Sequence, residues 1–60
     1  METRVLRTES EYLITYRVEV FIDNEWQIVN TQHGTREYDD RMKKEAQETR
    51  ELVSGFEYRY

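Results

Sequence analysis

The chain has no cysteine, no proline, two glycines, one histidine and one tryptophan. Without cysteine no disulfide can form. With His33 as the sole histidine, a structural zinc site would lack the thiolates and imidazoles it needs. No glycine-rich phosphate loop and no metal-ligand spacing occurs, so no cofactor and no metal is expected. No apolar run approaches the roughly 18 residues that cross a bilayer. Met1-Glu2-Thr3-Arg4 also lacks the apolar stretch of a secretory signal. With the missing thiols, which suit a reducing compartment, these absences point to a cytoplasmic protein with no membrane partner.

What is present fits one domain spanning residues 1–60. A chain this short buries only about 60% of the surface its unfolded form exposes, so its core is marginal. With disulfides and zinc set aside, a second subunit or a tight partner is the remaining route to added stability. Charged residues are 37% of the chain and the net charge is −4, yet eight aromatics argue against disorder.

From Tyr12 to Ile22 every second residue is apolar, namely Tyr12, Ile14, Tyr16, Val18, Val20 and Ile22. A period of two marks a strand with one buried face. Its other face carries Leu13, Thr15, Arg17, Glu19 and Phe21, polar in the middle and apolar at both ends. Residues 1–10 form a polar lead-in, with Val5 and Leu6 as its bulky apolar pair, or a short extra strand. Asp23-Asn24-Glu25 makes a turn, and residues 26–32 return as the second strand of a hairpin. A three-residue loop puts Trp26 and Ile28 on the core face beside Val20 and Ile22. A two-residue loop, Asn24-Glu25, turns Trp26 outward beside Phe21 and puts Val29 inside. The first is favoured, because burying Trp contributes more than burying Val.

Gly34 breaks the strand, and Thr35 suits the N-cap of a helix. Over residues 36–53, Tyr38, Met42, Ala46, Thr49 and Val53 form a narrow stripe, with Leu52 beside the last. Glu37–Arg41, Asp39–Lys43 and Asp40–Lys44 stand in the favourable i,i+4 order. Gly55 is the natural stop, after which Phe56, Tyr58 and Tyr60 alternate with Glu57 and Arg59 as a last strand. The expected architecture is a two-layer α+β domain. A three-stranded antiparallel sheet of chain order β-β-α-β and sheet order 3-1-2 carries one helix on one face. The alternative pairs the last strand parallel to residues 26–32 by a right-handed crossover.

Chemistry is scarce. Asp39-Asp40 is the closest approach to a catalytic carboxylate pair, but the pair is interleaved with Arg41, Lys43 and Lys44 and reads as a solvated helix face. His33 is a lone loop histidine with no nucleophile beside it, so no catalytic residue is expected and the chain is not read as an enzyme. Nucleic acid binding would use Phe21, Arg17 and Arg59 on an open sheet face, but the net charge of −4 disfavours it. A carboxylate mimic of DNA is not supported either. Residues 36–54 hold six acids and five bases, and residues 1–35 hold six acids and three bases. What remains is an outer sheet face with an apolar patch and an Arg anchor, Leu13, Arg17, Phe21, Val29 and Arg59, of the kind that protein interfaces favour. The strand over 26–32 is also an edge without proline or lysine, which invites pairing with another chain.

In size, acidity and element order the chain resembles small proteins of phages and mobile elements that block host defence, anti-CRISPR proteins among them. The resemblance implies a non-enzymatic inhibitor that occupies a partner's surface. The expected partner is a protein, with a homodimer as a second structural option. Sheet-face binding of RNA or single-stranded DNA is the alternative.

Overall fold

The alternating run does build the middle of the molecule. The computed structural model describes residues 2–55 and contains three strands, β1 (Thr3–Glu9), β2 (Ile14–Ile22) and β3 (Glu25–Gly34). A 3-10 turn over Arg36–Tyr38 then leads into one helix, α1 (Asp39–Ser54). The strands form an antiparallel sheet in the order β1-β2-β3, and α1 lies on one face, giving the two-layer α+β domain.

The strand beside the free edge of β2 is the N-terminal one. Sheet order therefore follows chain order instead of 3-1-2, and the described element order is β-β-β-α. The expected strand over residues 56–60 lies outside the described residues. The physical reason for the N-terminal partner is proximity, because a loop of only four residues, Ser10–Leu13, separates β1 from β2 and costs little entropy to close. The Ser10 N–H donates to the Leu13 carbonyl at 2.8 Å, and the Leu13 N–H donates back to the Ser10 hydroxyl at 3.1 Å.

On its inner face β2 offers Ile14, Tyr16, Val18 and Val20, none more than 3% exposed. Met42 and Ala46 of α1 close over Ile14, Tyr16 and Val18, with Val5 of β1 packed against the cluster. Of the helical stripe, Met42, Ala46 and Val53 are buried and Thr49 is half-buried, whereas Tyr38 and Leu52 stay exposed. Thr35 precedes the 3-10 turn, so Tyr38 takes the N-cap place of α1 and no side chain caps it. Gly55 ends the helix at φ −82° without entering the left-handed region, and its N–H donates to the carbonyls of Glu51 and Leu52.

The second hairpin corrects the favoured register. Asp23 and Asn24 have φ of 54° and 64°, a two-residue turn with both central residues left-handed, and the turn sets Ile22 opposite Glu25. Phe21 then faces Trp26, Val20 faces Gln27, and Glu19 faces Ile28. Trp26 and Ile28 thus turn away from the helix. The inner positions of β3 are mostly polar, including Gln27, Asn30 and Gln32. Asp and Asn are the residues that accept left-handed backbone at least cost, so this local preference sets the loop and prevails over the gain from burying Trp. At Gly34 the helix comes close, since a Cβ there would sit 3.0 Å from the Met42 sulfur. One irregularity interrupts the ladder. Val18 pairs with Asn30 while Glu19 pairs with Ile28, which leaves Val29 as the extra residue of a bulge.

Candidate functional site on the outer sheet face

The two-residue turn determines what the uncovered face of the sheet carries. Alternation and pairing put Arg4, Leu6 and Thr8 of β1 on it, with Thr15, Arg17, Glu19 and Phe21 of β2 and Trp26, Ile28, Thr31 and His33 of β3. These residues form cross-strand rows. Phe21 and Trp26 stand at one end, then Arg4, Glu19 and Ile28, then Leu6, Arg17 and Thr31. The last row is Thr8, Thr15 and His33, so the face runs from an aromatic end to a hydroxyl and imidazole end.

The aromatic end is built as one piece. The Phe21 and Trp26 rings lie 5.2 Å apart, tilted by 53°, within the range in which aromatic pairs attract. Arg4 reaches from β1 across β2, a span of about two strand spacings, to lay its guanidinium 3.9 Å from the Trp26 ring centroid on β3. On the way its Nε donates to Glu19 Oε1 at 2.7 Å. Glu19 is thereby only 5% exposed although it points away from the helix. A carboxylate so covered is tolerable because a cation holds it. Among the described residues, one arginine side chain therefore touches an acid on β2 and an indole on β3, fixing the three strands relative to one another.

The structure brings some of the expected interface residues together and separates others. Arg17 is half-buried at the centre of the face, and it has no ion-pair partner among the described residues. Phe21 is 38% exposed at the aromatic end, and Val29 sits exposed in the bulge of β3. Leu13 lies in the Ser10–Leu13 turn, beyond the opposite end of the face. Eight residues of strand put it about 27 Å from Phe21, too far to share one contact patch. Arg59 lies outside the described residues. Trp26, Ile28 and Arg4 were missing from the expected set. The signal for Trp26 and Ile28 was the Asp23-Asn24 pair, whose joint tolerance of left-handed backbone specifies the loop length, whereas Arg4 is placed by the pairing of β1 with β2.

The polar end holds a Thr15 hydroxyl 2.8 Å from His33 Nδ1, exposed to solvent. No group of three or more His, Asp or Glu positioned to hold a metal occurs among the described residues.

Away from this face, the helix start corrects the expectation of a solvated Asp39. Asp39 is half-buried and joins α1 to both neighbouring strands. It accepts from Arg7 of β1 at 3.0 and 3.4 Å and from the hydroxyl of Tyr16 of β2. The Arg7 and Tyr16 hydrogen bonds hold the Asp39 carboxyl below the usual carboxylate range. Burial, then the bond to Asp39, pushes the Tyr16 phenol above its usual 10. Of the expected helix pairs, none of the three forms a described salt bridge, whereas Arg41 pairs with Glu45 at 3.2 Å.

A depressed carboxyl contributes stability that is full above its unfolded value, about 3.9, and is lost as pH falls through the folded value. Asp39→Asn is therefore expected to lower stability at pH 7 and to flatten its decline below about pH 4. Urea melts of both proteins between pH 2 and 7 check this. Parallel acid limbs for variant and parent would refute the assignment.

No helix of the described residues is long and apolar enough to cross a membrane. No known protein family, curated protein or solved structure matches this chain.

Proposed function

We propose that the chain is a non-enzymatic protein-binding module that acts by occupying a partner's surface with the uncovered face of its sheet. The observation that carries this is the register of β3. Its large apolar residues Trp26 and Ile28 face away from the only described helix, and Ile28 is 55% exposed. Together with Leu6 and Phe21 they make a second apolar face on a domain whose first one is already covered. An apolar centre with a Trp and two arginines matches the composition of interface hot spots.

The preformed Arg4–Trp26–Phe21 cluster lowers the cost of binding, because its rotamers are ordered before a partner arrives. Action as an inhibitor of host defence is a narrower form of the same proposal. It draws on size and acidity. The described order, β-β-β-α, differs from the β-β-α-β order that the sequence suggests. The nucleic acid alternative meets an obstacle, since Arg4 occupies one face of the indole on which a base would stack.

Phe21→Glu tests the proposal. It puts a charge at the aromatic end without touching the helix side, so the far-UV spectrum is expected to stay unchanged. Affinity for a bound protein is expected to fall by at least about 30-fold, the loss that marks a hot spot. Full retention of every protein contact by this variant would show that the face is not the site.

A further inference from the structure

The outer face differs in charge from the rest of the molecule. The chain as a whole has thirteen acids and nine bases. The strand residues of the outer face include two arginines and one glutamate, and that glutamate is engaged by Arg4 at 2.7 Å. Arg17 is the remaining charge. It stands in the row between Leu6 and Thr31, one row from Glu19 and Ile28, half-buried and without an ion-pair partner among the described residues.

We infer that this face binds a polypeptide segment that presents a carboxylate to Arg17 between apolar side chains seated on Leu6, Ile28 and the Phe21–Trp26 pair. The inference rests on the protein-binding proposal and adds the chemistry of the partner. A guanidinium bordering the apolar end, beside Leu6 and diagonal to Ile28, is desolvated when the face is covered. It must then meet an anion, because a buried unpaired charge is strongly unfavourable. Thr31 beside it offers a hydroxyl to the second carboxylate oxygen.

Two other occupants fit less well. A second copy docked face to face on a two-fold axis near the centre would set Arg17 against Arg17 of its copy, and each copy has a net charge of −4. A nucleic acid strand needs several backbone cations in a row, and among the described residues this face has one without an ion-pair partner. The overall negative charge does not exclude an acidic segment. Charges beyond about 8 Å are largely screened at physiological ionic strength, whereas the contact at Arg17 is direct.

The test uses the full chain as bait for a random peptide display library, in parallel with Arg17→Glu and Arg17→Gln. The Gln variant keeps the test open if the Glu variant folds poorly, as circular dichroism would show. Enriched peptides are synthesised and titrated against the intrinsic fluorescence of Trp26, the only tryptophan, which lies on the face itself. Peptides with Asp or Glu flanked by apolar residues are expected from the parent, with at least about tenfold weaker binding to Arg17→Gln. Arg17→Glu is expected to select Lys or Arg at the same place.

A consensus without an acid, or one unchanged by either Arg17 variant, overturns the inference. Loss of those same peptides on Phe21→Glu would then leave the protein-binding proposal standing. Peptides that bind Phe21→Glu as well as the parent overturn both. Failure to enrich any peptide overturns the inference as well. So does a concentration-dependent dimer in sedimentation, or salt-labile binding of a single-stranded oligonucleotide, when Arg17→Glu abolishes it.

Discussion

Tyr16→Ala is expected to leave most of the chain unfolded in water at 25 °C. Tyr16 is 3% exposed and sits under Met42 and Ala46 in the middle of the only described core cluster. Truncating a buried aromatic to Ala costs about 3–5 kcal/mol. A domain of 60 residues has a total stability of roughly 3–9 kcal/mol at the usual amount per residue, so the loss consumes most of it. Tyr16→Phe separates packing from hydrogen bonding. It keeps the ring and removes only the donor to the Asp39 carboxylate, for an expected loss of about 1.5 kcal/mol. Urea melts followed by far-UV circular dichroism read both variants. Equal midpoints for the two would show that the ring is not what holds α1 on the sheet.

The second large effect is an asymmetry across the Arg4–Glu19 pair. Arg4→Ala is expected to cost about 2 kcal/mol, because it leaves a covered carboxylate without its donor and strips one face of Trp26. The loss stays below that of a fully buried pair, since the Arg4 side chain is 40% exposed and water can enter where it lay. Glu19→Gln keeps an acceptor for the Arg4 N–H and is expected to cost less than half as much. Replacing both, as Arg4→Ala with Glu19→Leu, removes the stranded charge and should recover most of the loss. Denaturant midpoints of the single and double variants give the coupling. A red shift of Trp26 emission in Arg4→Ala but not in Glu19→Gln would place the guanidinium on the indole. Equal losses for Arg4→Ala and Glu19→Gln would instead mean that Glu19 is already solvated.

These two sites divide the molecule. Tyr16 and Asp39 hold the helix to one face, while Arg4 and Glu19 brace the other. A sheet so braced presents Phe21, Trp26 and Ile28 in fixed positions, which is the property a surface-occupying protein needs. The same side chains that stabilise the domain therefore shape the proposed binding face. Arg17 differs, since no ion pair of the described residues uses it.

The amino-acid sequence by itself determined the elements whose signal is local. A period of two placed the central strand, a stripe at helical spacing placed α1, and Asp23-Asn24-Glu25 marked where the chain turns, though not the length of the loop. The two-layer class followed, because one helix can cover one face of the sheet. The absence of thiols was also plain from the sequence. What only the tertiary structure decided depends on contacts between distant residues. Thr3–Glu9 has little alternation of its own, since Arg7 and Glu9 share a side with Val5. It is a strand because β2 offers it a free edge. Asp39 looked like one solvated acid among several until folding set Arg7 and Tyr16 against it across 32 and 23 residues of chain. The side on which Trp26 lies hung on one residue of loop length. Strand periodicity is exactly two, so that single residue moved the tryptophan from the expected core to the outer face.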